Sequence, residues 1–297
     1  MPAPLTSLEH KAPSPVLTTS TTRVLEPTDL SGALAVLDQD PVANAFVTAR
    51  VLDSGLEPPY LGGEMWGYYR RGRLVSLCYA GANLVPVCAG PAAVRAFADR
   101  ALRQGRRCSS IVGPLDPTAR LWSHLEPYWG PARQLRHRQP LMTTDRVPAD
   151  VTPNPLVRRM RKDEMDLVLP AAVAMFTEEV GISPLDAADG GLAYQSRVAE
   201  TVGTGRCFGL VEDGRVVFKA EIGAVTPHAC QLQGVWTAPE ARGRGLATAG
   251  LATVLRHALD EVAPVVSLYV NDFNAPALAV YRRLGFVEAG ALMSVLF

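Results

Sequence analysis

Lysine is nearly missing from this chain of 297 residues: Lys11, Lys162 and Lys219 stand against 26 arginines. The 29 basic side chains meet 29 acidic ones, so the formal net charge is zero. No net field gathers a phosphate backbone or an anionic lipid surface, which argues against a nucleic-acid or membrane-surface partner. No uninterrupted apolar run approaches the roughly 18 residues of a bilayer span, so a helical membrane protein is excluded. Cysteine is scarce and odd in number: Cys78, Cys88, Cys108, Cys207 and Cys230 lie far apart, in apolar strand-like runs such as LVSLCYA and RCFGLV. Buried reduced thiols are expected there, and not disulfides. The histidines never pair with one another or with cysteine at ligand spacing, so no metal site is legible. A secretion signal is missing too, because Pro, Ser and Thr punctuate the first residues; residues 1–21 read as a disordered leader on a cytoplasmic protein.

What is present is a globular composition, 48% hydrophobic and 20% charged, in a chain long enough for two domains. From residue 22 the patterning predicts a strand, a helical stretch interrupted near Pro41, a hairpin turned at Arg71-Gly72 with a third strand, and a helix opened by Pro91 and closed by Gly105. A strand, a helix and extended structure follow. After a Pro-rich junction over residues 147–156 the same order returns, with a hairpin turned at Asp213-Gly214. The expected fold class is α/β (α+β). Two similar domains, residues 22–146 and 157–297, each carry a mixed, mainly antiparallel sheet flanked by helices.

The segment from Gly234 to Ala247, GVWTAPEARGRGLA, runs from a strand through a Pro and Gly turn directly into a long helix. Such a turn builds an anion cradle. The first amides of the helix lack partners within it, the macrodipole places partial positive charge there, and Gly243 and Gly245 let the main chain approach a phosphate. Arg242 and Arg244 add charge of the right sign. Neither a Rossmann fingerprint nor a P-loop is present.

Arg242-x-x-Gly245-x-Ala247 resembles the pyrophosphate-loop pattern (R/Q)-x-x-G-x-(G/A) of the GNAT superfamily of acyl-CoA-dependent N-acetyltransferases. Asn271, Asn274 and Tyr281 in VNDFNAPALAVYRRLGF look like that family's second signature. The resemblance covers roughly residues 155–297. It implies that acetyl-CoA is the cosubstrate, with its diphosphate on residues Arg242, Gly243, Arg244, Gly245, Leu246 and Ala247. The pantetheine would lie beside the strand ending Val235, Trp236 and Thr237, with an amide near Val235 or Trp236 stabilising the carbonyl oxyanion. Asn271 and Asn274 join the cofactor side by motif position, and Tyr281 becomes the proton donor. The first half shares the element order but reads Val87-Cys-Ala-Gly-Pro-Ala-Ala93 where a cradle belongs, which implies a degenerate half that no longer holds a diphosphate.

Direct attack of an amine on a thioester requires a proton to leave an ammonium and another to reach the thiolate; reference values near 10 and 8.5 make both transfers slow without help. Glu221 is the candidate base. It alternates with Phe218, Ala220 and Ile222 and shares its face with Lys219, a face that alternation makes the solvent side. The following strand, Ala229 to Gln233, has no carboxylate, so Glu178, Glu179, His228 and Asp272 stand as alternatives. The expected activity is transfer of an acetyl group from acetyl-CoA to an amine acceptor. The alternative is a non-catalytic acyl-CoA-binding or interaction module. The acceptor, small molecule or protein, and the oligomeric state are not encoded in any pattern.

Overall fold

The computed structural model describes residues 20–297. Most of the expected leader lies outside the described residues, while Ser20 and Thr21 open the first strand. The first half runs β1 (Ser20–Val24), α1 (Leu30–Leu37), α2 (Ala45–Ser54), α3 (Pro58–Leu61), β2 (Gly63–Arg70), β3 (Arg73–Gly81), β4 (Asn83–Val87), α4 (Pro91–Gln104), β5 (Ser110–Pro114), α5 (Leu115–Trp129) and β6 (Gln134–Thr144). The second runs β7 (Arg158–Arg159), α6 (Met165–Val180), α7 (Leu192–Gly203), β8 (Cys207–Glu212), β9 (Arg215–Val225), β10 (Cys230–Thr237), α8 (Leu246–Glu261), β11 (Val266–Tyr269), α9 (Ala275–Arg283) and β12 (Val287–Leu296). The repeated order and the mixed, mainly antiparallel character agree with the sequence.

The two sheets are nevertheless one. The strands follow the order β1-β2-β3-β4-β5-β12-β6-β11-β10-β9-β8-β7. Each half lends its last strand to the other: β12 pairs with β5, β6 pairs with β11, and the two exchanged strands pair with each other. Packing follows the exchange, since Met142 of β6 joins the core of the second half while Met293 and Val295 of β12 join that of the first. Such strands are buried on both faces, which is why LMTT and ALMSVL read as apolar runs without clean alternation.

All pairs are antiparallel except β4–β5 and β10–β11. The β10–β11 pair holds over only two residues of each strand, Cys230 with Val266 and Gln231 with Ser267, and then the strands part. A bulge in β10 between Gln233 and Trp236 accompanies the parting, bending the strand outward as an extra residue does. Helix α8 braces β10 from one face. Its line Leu251, Val254, Leu255 and Ala258 is buried, at about 1.5–3 kcal/mol for each large side chain. A side chain at Gly250 would stand 2.6 Å from the Phe218 ring, so glycine there sets how close helix and sheet approach. Helices α6 and α7 cover the opposite face of β9.

Candidate cofactor and acceptor site

The turn after β10 has the geometry its glycines predict. Gly243 and Gly245 take φ of +74° and +77°, and a Cβ built on either meets no atom within 4 Å. The space over the turn is therefore open. Gly245 is the N-cap of α8 and offers no side chain to its amides. Ala249 is the first residue whose N–H closes a helical bond, to Gly245 O at 3.1 Å; the amides of residues 243–248 have no protein acceptor among the described residues. Unpaired donors, the positive end of a 16-residue helix and bare main chain together give this turn the chemistry to receive an anion.

Both arginines of the turn are held by carboxylates. Arg242 Nη2 donates to both Glu178 oxygens at 2.8 and 2.7 Å while its Nε donates to Thr237 O at 3.0 Å. Arg244 donates to Glu212 at 3.0 and 3.2 Å. Trp236 adds its indole N–H to Glu178 at 3.1 Å. These contacts hold the Glu178 carboxyl below its ordinary range, Arg242 being the largest cause.

Gly234 sits in the bulge with φ of +59°. Its carbonyl accepts from Lys219 Nζ at 3.1 Å, and the same ammonium donates to Glu221 at 2.6 Å. The solvent face expected for this pair does not exist. Lys219 is fully buried and Glu221 is 7% exposed, because α6 and α7 cover the side of β9 that alternation alone assigned to water. The buried carboxylate stays beside the bulge: a Cβ at Gly234 would lie 3.2 Å from Glu221 Oε2. Cys207, near this pair, has its thiol pushed up to about 12 by burial.

Tyr281 is buried on α9 and packs edge-to-face on Phe286 at 5.8 Å. Its hydroxyl has no hydrogen-bond partner among the described residues. Burial first, and the charge of Glu179 second, push the phenol well above its usual 10. Asn274 Oδ1 caps α9 through Ala277 N–H at 3.2 Å, and Asn271 Oδ1 accepts from Gln139 Nε2 at 3.0 Å, with Gln139 in turn accepting from Ser294 at 2.6 Å. The carbonyl ends of both motif asparagines are thus engaged. Val235, Trp236 and Thr237 line β10 half-buried at the parting, and Leu246 and Ala247 open α8. His228 lies exposed in the turn before β10, away from the bulge, and Asp272 is exposed before α9.

Sequence reasoning missed Arg136. This side chain of β6 is 6% exposed and donates to Glu179 Oε1 at 3.1 Å and to Glu179 O at 2.8 Å. No local signal could reveal it, because strand exchange alone brings it here.

Residues 173–286 match the acetyltransferase (GNAT) family. The second half is a GNAT acetyltransferase domain. Residues 63–168 match a domain of unknown function, DUF4081, which is consistent with a degenerate GNAT-like half. GNAT acetyltransferases use acetyl-CoA and act on an amine acceptor. In fold, the chain resembles a GCN5-related N-acetyltransferase from Sphaerobacter thermophilus, with a TM-score of 0.57 at 17% identity over 93% of this chain and 95% of that one. It also resembles a tandem GNAT protein from the clavulanic acid biosynthesis pathway, with a TM-score of 0.54 at 18% identity over 94% and 98%. In sequence it is 50% identical over 48 residues to the mycothiol acetyltransferase of Saccharomonospora viridis, a match spanning 16% of each chain. Among the described residues no helix is long and apolar enough to cross a membrane, and no group of three or more His, Cys, Asp or Glu could hold a metal.

Proposed function

We propose that the protein transfers the acetyl group of acetyl-CoA to an amine acceptor in the cleft where β10 parts from β11. The observation that carries this reading is the conjunction of that parting with an open, glycine-lined anion cradle at the start of α8. The residues fit the cofactor. The free amides of residues 243–247 would take its diphosphate, the Arg242 amide expected to join them being bonded to Pro239 O at 3.3 Å, and the freed edge of β10 from Gln233 to Thr237 would pair with its pantetheine. When bound, the cofactor supplies a thioester carbonyl activated for attack. Preorganised main-chain donors near Val235 and Trp236 stabilise negative charge on that oxygen. Tyr281 donates a proton to the leaving sulfur, and Glu221, beside Gly234, accepts one from the incoming amine directly or through water. Asn271 and Asn274 keep the β11–α9 connection in place beneath the cofactor.

The division into residues 22–146, a junction at 147–156 and a catalytic part at 157–297 belongs to the same proposal. In the first half β4 and β5 also part after two residue pairs, but Gly90 has a φ of −73° and Pro91, which has no N–H, opens α4, so only Ala92 and Ala93 stand ahead of the first helical bond, Val94 N–H to Gly90 O, and the run of free amides is shorter than at α8. One cofactor per chain follows. Five free cysteines, four of them buried, suit a reducing cytoplasm. Neither nucleic acid nor a membrane enters the reading. Thiol release from acetyl-CoA by the purified protein, measured against a panel of amines and peptides, tests it. Amine-dependent release supports the enzyme, whereas CoA binding with no release under any amine supports a binding module instead.

A further inference from the structure

Three carboxylates border the cleft, and they are not equivalent. Glu178 spends both oxygens on Arg242 and Trp236. Glu221 lies under α6 and α7 against Lys219. Glu179 binds Arg136 through one oxygen, keeps the other without a protein partner among the described residues, and is 52% exposed along its side chain. It alone combines a fixed position with a free acceptor facing solvent.

The group that fixes it belongs to the first half. The last β6–β11 pair joins Leu141 to Tyr269, and the contact continues through Val270 N–H to Pro140 O at 3.2 Å and through Asn271 to Gln139. From there β6 runs on past the end of β11, carrying Arg136 to the open end of the cleft. Arg136 meets Glu179 at two points, carboxylate and carbonyl, and Arg133 donates to the neighbouring Val180 O at 2.9 Å. Two cations of the first half thus cap the C-terminal end of α6, where partial negative charge favours them. Glu178 reaches the opposite lip. The last turn of α6 therefore spans the cleft, with one carboxylate turned to the cofactor loop and the next to the exchanged strand. Glu179 is also close enough to Tyr281 for its charge to act on the phenol.

We propose that Glu179 receives the ammonium group of the acceptor and that Arg136 is a positioning residue holding it for that purpose. The proposal rests on the acetyltransferase reading above. Alkyl amines arrive as cations at neutral pH, and a half-exposed carboxylate beside the proton donor gives such a cation its first fixed contact. Proton removal remains with Glu221, directly or through water. The first half is thereby part of the acceptor site even though it holds no cofactor.

The test uses the full chain with n-butylamine, whose only polar group is its ammonium. Calorimetric titration with CoA and thiol release from acetyl-CoA are measured for the wild type, Glu179→Gln, Arg136→Gln and Arg136→Lys. Glu179→Gln is expected to raise KM for n-butylamine by about tenfold or more, with kcat and CoA affinity little changed, as loss of a charged contact requires. Arg136→Gln should follow it, and Arg136→Lys should recover part of the loss. An unchanged KM in Glu179→Gln overturns the proposal, as does an equal loss of CoA affinity and amine recognition, which marks a structural role. A wild type that binds CoA yet never turns over n-butylamine also overturns it, while leaving the cofactor reading intact. A wild type that fails to bind CoA overturns the acetyltransferase reading itself.

Discussion

Replacing Lys219 with methionine removes one buried charge and keeps most of its volume. The ammonium is bonded to Glu221 at 2.6 Å, to Gly234 O at 3.1 Å and to Met175 Sδ at 3.5 Å, at a position with no solvent exposure. Removing one partner of a buried pair leaves the other charge uncompensated, at about 3–5 kcal/mol. The Glu221 side chain retains 9% exposure, which favours the lower end, about 3 kcal/mol. At about 2–4 °C per kcal/mol for a chain of this order, the melting temperature should fall by roughly 6–12 °C. Lys219→Met/Glu221→Leu should recover most of that loss, because an apolar pair of similar volume is often no less stable than a buried ion pair. Urea denaturation of the two single variants and the double closes the cycle. A single-variant cost under about 1 kcal/mol, or a double variant as unstable as the sum of the singles, would refute the claim that the pair is a coupled buried unit. Under the proposed mechanism the rescued double variant still binds CoA but loses turnover.

The acid limb of stability should report Glu164. The Arg158 guanidinium holds its carboxyl down at about 2. A depressed value means stability that is complete above the usual carboxylate range near pH 4.5 and lost as pH falls toward 2; it is on the order of 1–2 kcal/mol after screening of the half-exposed arginine. Melting curves between pH 5 and pH 2.5 should show this loss in the wild type and a shallower one in Glu164→Gln. Tyr281→Phe keeps the ring against Phe286 and removes the donor, so kcat for a turned-over amine should drop about 10²–10⁴-fold with CoA affinity unchanged; equal turnover would reduce Tyr281 to a packing residue. A fragment of residues 150–297 lacks both β5 and β6, so β11 loses one of its two neighbours and β12 loses both. It should show no cooperative melting transition, and a fragment with the stability of the full chain would contradict the exchange.

The readable parts of this molecule are those decided within a few residues. The Asp213-Gly214 hairpin is one, since both residues take positive φ, 48° and 72°. The cradle is another, because Gly243, Gly245 and the start of α8 lie within one turn of chain. Pro41 marks the break between α1 and α2 for the same local reason. Strand exchange was not readable. The pattern of β6 is equally compatible with an edge in its own half and with a central position in the other, and the choice depends on which fifth strand it meets. The burial of Lys219 and Glu221 was hidden similarly. Period-2 alternation assigns residues to a face but not what covers that face, and here α6 and α7 arrive from 16 to 56 residues upstream. Arg136 combines both difficulties, a polar residue on an exchanged strand whose partner sits at the end of a helix in the other half.

The central claim is that the opening of α8 is a cofactor site and that the chain has one. Calorimetric titration of the full chain with CoA tests it most directly, with Gly245→Asp measured in parallel. A carboxylate at residue 245 stands where the diphosphate approaches unpaired amides, and the positive φ of 77° strains any side chain there. The account predicts one CoA per chain for the wild type and no measurable binding for Gly245→Asp with its fold retained by circular dichroism. Two equal sites, or undiminished affinity in the variant, would contradict it.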